Sequence, residues 1–327
     1  MSGRSNSPLT TGITAGHAWI RRALSGLALA FMGLAFVLWY SCPAGSVTMT
    51  NGSAPRVEHL GTFVWNLDEA DFGGFSGLHL DDDGTRFLAL SDRASLRWGM
   101  VERDSNDNIV SLVPEGYTRL KDSQGKDLPS GGRTGDSEGL AVGQDGRIWI
   151  SFEGLTRVVG HDKPDSPARL LPRANAFKKL QPNSSLESLA IMADGTLLTI
   201  PERSGGLKRP FPVWRFRDGK WDEPFSIPRR GDFLAVDADV GPDGRLYLLE
   251  RDFLGILGFR SRVRRFDITG EGLSNEQTLM TSYPLQFDNL EGMSVWQDDK
   301  GIRVTLISDD NFGALQRTEL VEYRISD

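Results

Sequence analysis

The chain has 327 residues, 25% of them charged and 39% hydrophobic, which is typical of a globular protein and excludes a disordered one. Its 44 acidic and 37 basic residues give a formal net charge of −7, which argues against non-specific binding to nucleic acid. Cys42 is the only cysteine, so the sequence excludes disulfides, cysteine-bound zinc and a thiol nucleophile in the chain that follows residue 44.

The first 44 residues are predicted to be a signal peptide or an N-terminal membrane anchor. Residues 23–41 carry no charge and follow a basic pair, a pattern typical of both. Whether the segment is cleaved, lipidated at Cys42 or retained in a membrane stays open. On each route the remaining chain lies outside the cytoplasm, either in the periplasm or anchored to the inner membrane. Residues 45–55 then form a linker, and residues 56–327 one domain.

One unit recurs five times in residues 56–327. Each copy has an apolar run, a short turn and a second apolar run that ends in an acidic residue. The turn is Asp-Gly at 83–84, 145–146, 194–195 and 243–244, and a longer one at 298–301. Asp-Gly between two apolar runs is typical of a β-hairpin, because both residues tolerate positive φ.

The repeats predict an all-β fold, a β-propeller with five visible blades and a sixth left open. Their period of about 50 residues is typical of a four-stranded blade. A first strand at about 57–66 would pair with residues 320–326, complete the last blade and close the ring, which removes free sheet edges. Little helix is expected, and 176–181 is the one short stretch that qualifies.

Acidic residues are expected to converge at one end of the central channel. The start of each inner strand and the end of its hairpin partner share a rim of the ring. The starts carry Ser76, Glu138, Glu187, Asp237 and Glu291, and the ends carry Asp92, Glu153, Glu202, Glu250 and Asp309-Asp310-Asn311. Two carboxylates about 6 Å apart repel by roughly 3 kcal/mol at an effective dielectric near 20. The ring therefore requires raised pKa values, arginine partners or a bound cation.

The combination of motifs resembles the phytase-like domain family, exported bacterial proteins with an esterase-like activity of the phytase type. The resemblance covers about 56–327. It rests on GGFSGL (73–78) with SDR (91–93), DSEGLAV (136–142), SLESLAI (185–191) with PER (201–203), and DNLEGM (288–293) with SDDNF (308–312). It implies a propeller with a Ca²⁺-dependent hydrolase activity on phosphoric or carboxylic esters.

The first functional hypothesis is a metal-dependent phosphoesterase or esterase that acts on a small-molecule substrate. Oxygen ligands without His or Cys suit Ca²⁺, and Mg²⁺ is the alternative. The candidate metal ligands are Glu138, Glu187, Asp237, Glu291, Asp309, Asp310 and Asn311. Glu202 is the candidate general base, and Arg93, Arg203 and Arg251 would neutralise phosphate oxygens.

Two other functions use the same end of the channel. One is a non-catalytic propeller that presents a binding surface in the cell envelope and needs no metal. The other is a lactonase-like sugar hydrolase with one divalent ion. Asn289 and Asn311 are the residues that favour this alternative. In each case we expect a monomer that contacts a membrane only through an uncleaved N-terminal segment.

Overall fold

The computed structural model describes residues 54–181, 184–270, 272–313 and 315–327. The predicted signal or anchor at 1–44 and nearly all of the predicted linker lie outside these residues. Within the described part of the chain, no helix is long and apolar enough to cross a membrane.

Twenty strands form five antiparallel four-stranded blades. Blade 1 contains β2 (Phe75–Leu80), β3 (Arg86–Ser91), β4 (Ser95–Arg103) and β5 (Ile109–Arg119). Blade 2 contains β6 (Ser137–Val142), β7 (Ile148–Phe152), β8 (Arg157–His161) and β9 (Arg169–Leu170). Blade 3 contains β10 (Leu186–Ile191), β11 (Leu197–Pro201), β12 (Phe211–Arg217) and β13 (Lys220–Ile227). Blade 4 contains β14 (Leu234–Val240), β15 (Leu246–Phe253), β16 (Phe259–Thr269) and β17 (Gly272–Thr281). Blade 5 contains β18 (Asn289–Asp298), β19 (Gly301–Asp309), β20 (Thr318–Ser326) and β1 (Arg56–Trp65).

The inner strands close a ring of five blades. β2, β6, β10, β14 and β18 each contact the next in turn, and β18 returns to β2. The first strand of the domain joins the last blade, because β1 pairs with β20 from Arg56 opposite Ser326 to Trp65 opposite Thr318. The propeller and its closure are thus confirmed, and the described chain has five blades without a sixth.

The Asp-Gly turns lie at one end of the channel, named here the turn end. Gly84, Gly146, Gly195 and Gly244 have φ between 66° and 83°, the left-handed region that glycine adopts without strain. The starts of the inner strands therefore meet at the opposite end, named here the acidic end. Helical structure in the described residues is limited to α1 (Gly132–Gly135) and two 3₁₀ turns, Ala176–Lys179 and Gly255–Leu257.

Apolar side chains fill the space between blades, and small residues let the inner strands approach. Leu140 and Leu189 are almost fully buried in this packing. A Cβ on Gly139 would lie 2.6 Å from the carbonyl oxygen of Glu187 and 2.7 Å from the nitrogen of Leu189. A Cβ on Gly77 would lie 2.7 Å from the Cβ of Leu140. The glycines of the repeated motifs are therefore explained by packing between neighbouring blades.

Candidate metal centre

A β-bulge occurs near the start of the inner strand in every blade. The register between the first two strands shifts at these points. The residues at the shift are Ser76, Glu138 with Gly139, Glu187, Val236 and Glu291. A bulge changes the direction in which a side chain leaves the strand. In blades 2, 3 and 5 it falls on a glutamate at the acidic end.

Blade 4 departs from the repeat alignment by one residue. Its bulge falls on Val236, whereas the alignment of the five repeats predicts Asp237 at this position. The carboxylate of Asp237 is fully buried and accepts the backbone N–H groups of Ala238 at 2.8 Å and Met293 at 2.7 Å. Asp237 therefore joins blade 4 to blade 5, and it lies outside the group of carboxylates described next.

Three carboxylates meet at the acidic end of blade 2. Asp136 precedes β6, Glu138 lies in the bulge of β6, and Glu153 follows β7. Each offers one oxygen atom, and the three atoms lie within 4.8 Å of one another. All three side chains are half-buried. Together they are named here the carboxylate triad.

Further carboxylates from neighbouring blades lie close to the triad. Glu187 of blade 3 lies close enough to Glu153 for their interaction to raise the pKa of Glu187. The Oε1 atom of Glu153 accepts the N–H of Ser185 at 3.2 Å. Asp92 of blade 1 and Asp309 of blade 5 lie close enough to Glu138 to raise its pKa. Four blades thus supply acidic groups to one region.

None of these groups forms an ion pair within the described residues, although Arg93 acts on Asp92 and Arg251 on Asp309 through their charges. These groups are Asp92, Asp136, Glu138, Glu153, Glu187 and Asp309. Burial raises the pKa of Asp92 to about 6; the charge of Arg93 opposes this shift, and the negative charge of Asp136 adds to it. Burial also raises the pKa of Asp309 to about 7. Burial together with neighbouring carboxylates raises the pKa of Glu138 and of Glu187 well above the ordinary range.

The acids on the other side of the channel do have arginine partners. Glu202 is bound by Arg203 at 3.0 Å and by Arg251 at 3.4 Å. Arg251 also forms an ion pair with Glu291 and donates to the side-chain oxygen of Asn289 at 2.9 Å. Arg251 therefore holds Glu202 and Glu291 together, and a divalent ion is not needed to compensate their charge.

Glu250 is neutralised within blade 4 itself. Its carboxylate is fully buried and is bound by Arg264 at 2.6 and 2.7 Å and by Arg262 at 2.8 Å. Both arginines come from β16, the third strand of the blade. The repeat pattern does not predict this pairing, because the third strand lies outside the repeated hairpin.

The motif at 309–312 packs against blade 1. The carboxylate of Asp310 accepts the backbone N–H groups of Gly74 and Phe312, each at 3.0 Å, and the hydroxyl of Thr318 at 3.1 Å. Asn311 is exposed, and its backbone N–H donates to Asp309 at 2.7 Å. The guanidinium of Arg93 stacks on the Phe312 ring, 3.1 Å from its centroid. The carboxylate of Asp310 therefore stabilises the loop by these hydrogen bonds.

The donor set of the triad suits a hard divalent cation. It consists of oxygen atoms alone, which Ca²⁺ and Mg²⁺ prefer, and a flexible set of carboxylates favours the larger Ca²⁺. A cation would also relieve the repulsion that raises the pKa values. Of the predicted ligands, Glu138 belongs to the triad, and Glu187 and Asp309 lie beside it. Glu291, Asp237 and Asp310 have other partners.

Sequence reasoning left Asp136 out of the candidate set and treated Glu153 and Asp92 only as strand ends. The aligned positions of the other repeats carry no carboxylate, so the repeat pattern did not mark Asp136; they are Gly74, Ser185, Ala235 and Asn289. The available signal was the run Asp136-Ser137-Glu138, in which two carboxylates are separated by one residue. Contacts between blades decide which of the converging acids lack an arginine partner. No local pattern in the sequence predicts these contacts.

A large cavity lies at the turn end, away from the triad. It measures about 870 Å³ and is lined by residues of all five inner strands, including His79 and Trp296. Burial lowers the pKa of His79 to about 4, so this histidine is neutral at physiological pH. None of the predicted site residues lines this cavity.

Fold and site together define a five-bladed β-propeller with unneutralised carboxylates at one mouth of its channel. A family model described as "Phytase-like: Esterase-like activity of phytase" matches residues 70–312. The chain belongs to this phytase-like family. Among curated proteins there is no significant match.

Several solved structures are similar to this chain at low sequence identity. An α-L-arabinofuranosidase from Podospora anserina, solved with cellotriose, has a TM-score of 0.50 and 12% identity, covering 82% of this chain and 96% of that one. An aldose sugar dehydrogenase from Streptomyces coelicolor in its PQQ-bound form has a TM-score of 0.47 and 12% identity, with coverages of 84% and 99%. A gluconolactonase from Xanthomonas campestris has a TM-score of 0.40 and 15% identity, with coverages of 74% and 69%. Such similarity concerns the fold alone.

Proposed function

We propose that the protein is a metal-dependent hydrolase of small-molecule esters, either phosphoric or carboxylic, with Ca²⁺ as its ion. The observation that carries the proposal is the carboxylate triad, whose oxygens lie within 4.8 Å of one another without a cationic partner among the described residues. Membership in a family described by esterase-like activity supports the choice of reaction. An ion bound there would polarise the ester and a bound water.

The residues around the triad have separate proposed roles. Asp136, Glu138 and Glu153 would hold the ion. Glu187, whose pKa burial and neighbouring carboxylates raise well above the ordinary range, would donate a proton to the leaving oxygen. Asp309, with a pKa of about 7, would accept the proton of the attacking water, because a base works best when its pKa lies near the working pH.

The arginine side of the channel mouth would bind the substrate's negative charge. The side chain of Arg203 is 51% exposed while its Nε is held by Glu202. A guanidinium oriented in this way keeps further N–H donors for phosphate or carboxylate oxygens. Glu202 is bound by two arginines, so we assign it to positioning Arg203 and Arg251 instead of the general-base role predicted from the sequence.

Ester hydrolysis by the purified protein tests the proposal. The substrates are 4-nitrophenyl phosphate, 4-nitrophenyl acetate and phytate, each with EDTA and then with millimolar Ca²⁺, Mg²⁺ or Mn²⁺. We expect turnover of at least one ester that requires Ca²⁺ and is lost in Glu138→Gln. Glu115→Gln removes a carboxylate on the surface of blade 1 that is paired with Arg86, and this control should retain full activity.

Three results would contradict the proposal or redirect it. Turnover that is equal in EDTA and Ca²⁺ would contradict a metal-dependent mechanism. Hydrolysis of an aldonolactone in place of every ester would favour the lactonase hypothesis. Stabilisation by Ca²⁺ without turnover of any ester or lactone would favour a non-catalytic propeller.

We also propose a location outside the cytoplasm, on the basis of the uncharged stretch at 23–41 and the basic pair before it. Fractionation of cells that express the full chain tests this. Protein in the soluble periplasmic fraction indicates cleavage, and protein in the inner-membrane fraction indicates a retained anchor or a lipid. Cytoplasmic protein would contradict the proposal.

A further inference from the structure

A second cavity of about 470 Å³ lies between the loop after blade 1 and the outer strands of blade 2. Its walls include Phe152, Val158 and Leu171, and Leu170 is 63% exposed beside them. The volume is in the range of small-molecule sites, which are mainly apolar with a few placed polar groups. None of the triad residues lines it. The cavity is therefore distinct from the candidate metal centre.

Two guanidinium groups line this cavity, and neutral carbonyl groups hold both. Arg157 donates to the carbonyl oxygens of Leu155 at 3.1 Å and Thr134 at 2.6 Å, and Arg173 donates from Nε to that of Thr156 at 2.8 Å. Within the described residues, neither arginine forms an ion pair with a carboxylate. Carbonyl groups orient a guanidinium without cancelling its charge, and N–H donors remain for a ligand.

The surroundings keep this charge uncompensated. The guanidinium carbon of Arg157 lies 3.7 Å from the centroid of the Phe152 ring. Burial and the nearby charge of Arg173 lower the pKa of Arg157 to about 10, so it remains protonated at neutral pH. An unpaired cation that is partly removed from water is costly, and an anionic ligand would relieve this cost.

The acidic residues that line the cavity are already engaged. The carboxylate of Asp127 lies 3.8 Å from the ammonium group of Lys121. The carboxylate of Asp122 accepts the backbone N–H groups of Gln124 at 2.8 Å and Lys126 at 3.0 Å, which closes its own turn. Neither acid therefore competes with a ligand for the two arginines.

We propose that this cavity binds an organic anion with an apolar body, whose head group pairs with Arg157 and Arg173 while its body packs against Phe152, Val158 and Leu171. Charge complementarity selects the head group, and the apolar wall selects the body. The site is independent of the proposed hydrolytic activity, because no residue of the carboxylate triad contributes to it. An anion whose charge is carried by a carboxylate or by a phosphate monoester meets the same requirement.

Calorimetric titration of the full protein in EDTA tests the proposal, since EDTA keeps metal chemistry out of the measurement. The probes are octanoate and octyl phosphate, with octanamide as the neutral analogue and inorganic phosphate as the head group alone. We expect at least one octyl anion to bind at least 10-fold more tightly than both octanamide and inorganic phosphate. A preference between the two octyl anions identifies the head group.

Arginine variants provide the second arm. Arg157→Gln and Arg173→Gln should each weaken binding by about 10- to 100-fold, the effect of losing one charged hydrogen-bonding partner. Arg173 is exposed, so its variant tests the site even if Arg157→Gln fails to fold. Arg169→Gln is the matched control, because it removes the same charge from β9 outside the cavity and should bind normally.

Several results would overturn the proposal. They are no binding of either octyl anion at millimolar concentration, equal binding of octanamide, equal binding of inorganic phosphate, or equal loss in Arg169→Gln and Arg173→Gln. The last result would show a general charge effect in place of a defined site.

Discussion

Replacement of Glu138 by glutamine should stabilise the metal-free protein. Asp136 and Glu153 lie within 4.8 Å of Glu138, and two unit charges at that distance repel by about 3.5 kcal/mol at an effective dielectric near 20. The raised pKa values show that the cluster sheds part of this repulsion by taking up protons. We therefore expect a net gain of about 1–3 kcal/mol in the free energy of unfolding at pH 8, or several degrees in Tm.

The same substitution in Glu250 should have the opposite sign. Glu250 is fully buried between Arg262 and Arg264, and removing one partner of such a group costs about 3–5 kcal/mol. The two variants change the same functional group at the same end of the propeller. The neighbouring charge has the opposite sign at the two positions.

Chemical denaturation at pH 8 in EDTA, repeated in Ca²⁺, measures both effects. At 100 times its Kd, Ca²⁺ should add about 2.7 kcal/mol to the wild type, less to Glu138→Gln, and the full amount to Glu250→Gln if that variant folds. A loss of stability in metal-free Glu138→Gln would refute the reasoning, because it would mean that the Glu138 carboxylate stabilises the fold. The gain should shrink as the pH falls, because carboxylates with raised pKa values take up protons and lose their repulsion.

Three further outcomes are expected. The pKa values of Asp92 and Asp309 are raised to about 6 and about 7, so their contribution to the stability of the metal-free protein is present below pH 4 and lost as pH rises through 6–7. Denaturation across pH 4–8 should show this decline in the free energy of unfolding, and saturating Ca²⁺ should remove it. Gly139→Ala should lower Tm by several degrees, since its Cβ would lie 2.6 Å from a carbonyl oxygen of blade 3. Gly146→Ala should cost only about 1 kcal/mol of stability, because Gly146 has a φ of 77° but no neighbour within 4 Å of the added Cβ. Equal losses in the two variants would contradict the packing argument. Removal of residues 1–65 deletes β1 and should abolish cooperative unfolding, because blade 5 loses its fourth strand. Removal of residues 1–53 leaves β1 in place and should not have this effect. Equal stability of the two shortened chains would contradict the role of ring closure.

The amino-acid sequence alone determined the repeating architecture. Asp-Gly turns and alternating apolar runs are local signals, because they act within one hairpin. The first strand was predicted to pair with the last because closure of the ring removes free sheet edges, and β1 and β20 pair as expected. The convergence of acids followed in turn from the geometry of the hairpin.

Only the tertiary structure decided what each converging acid does. Arg262 and Arg264 reach Glu250 from β16, and Arg251 joins Glu202 to Glu291 across blades 3, 4 and 5, so these acids are neutralised. A one-residue shift of the bulge in blade 4 turns Asp237 to the backbone of blade 5. Such pairing depends on side chains distant in sequence, whereas the repeat pattern reports only positions within one blade. The carboxylates that remain without a cation, and with them the candidate metal centre, were therefore defined by contacts between blades.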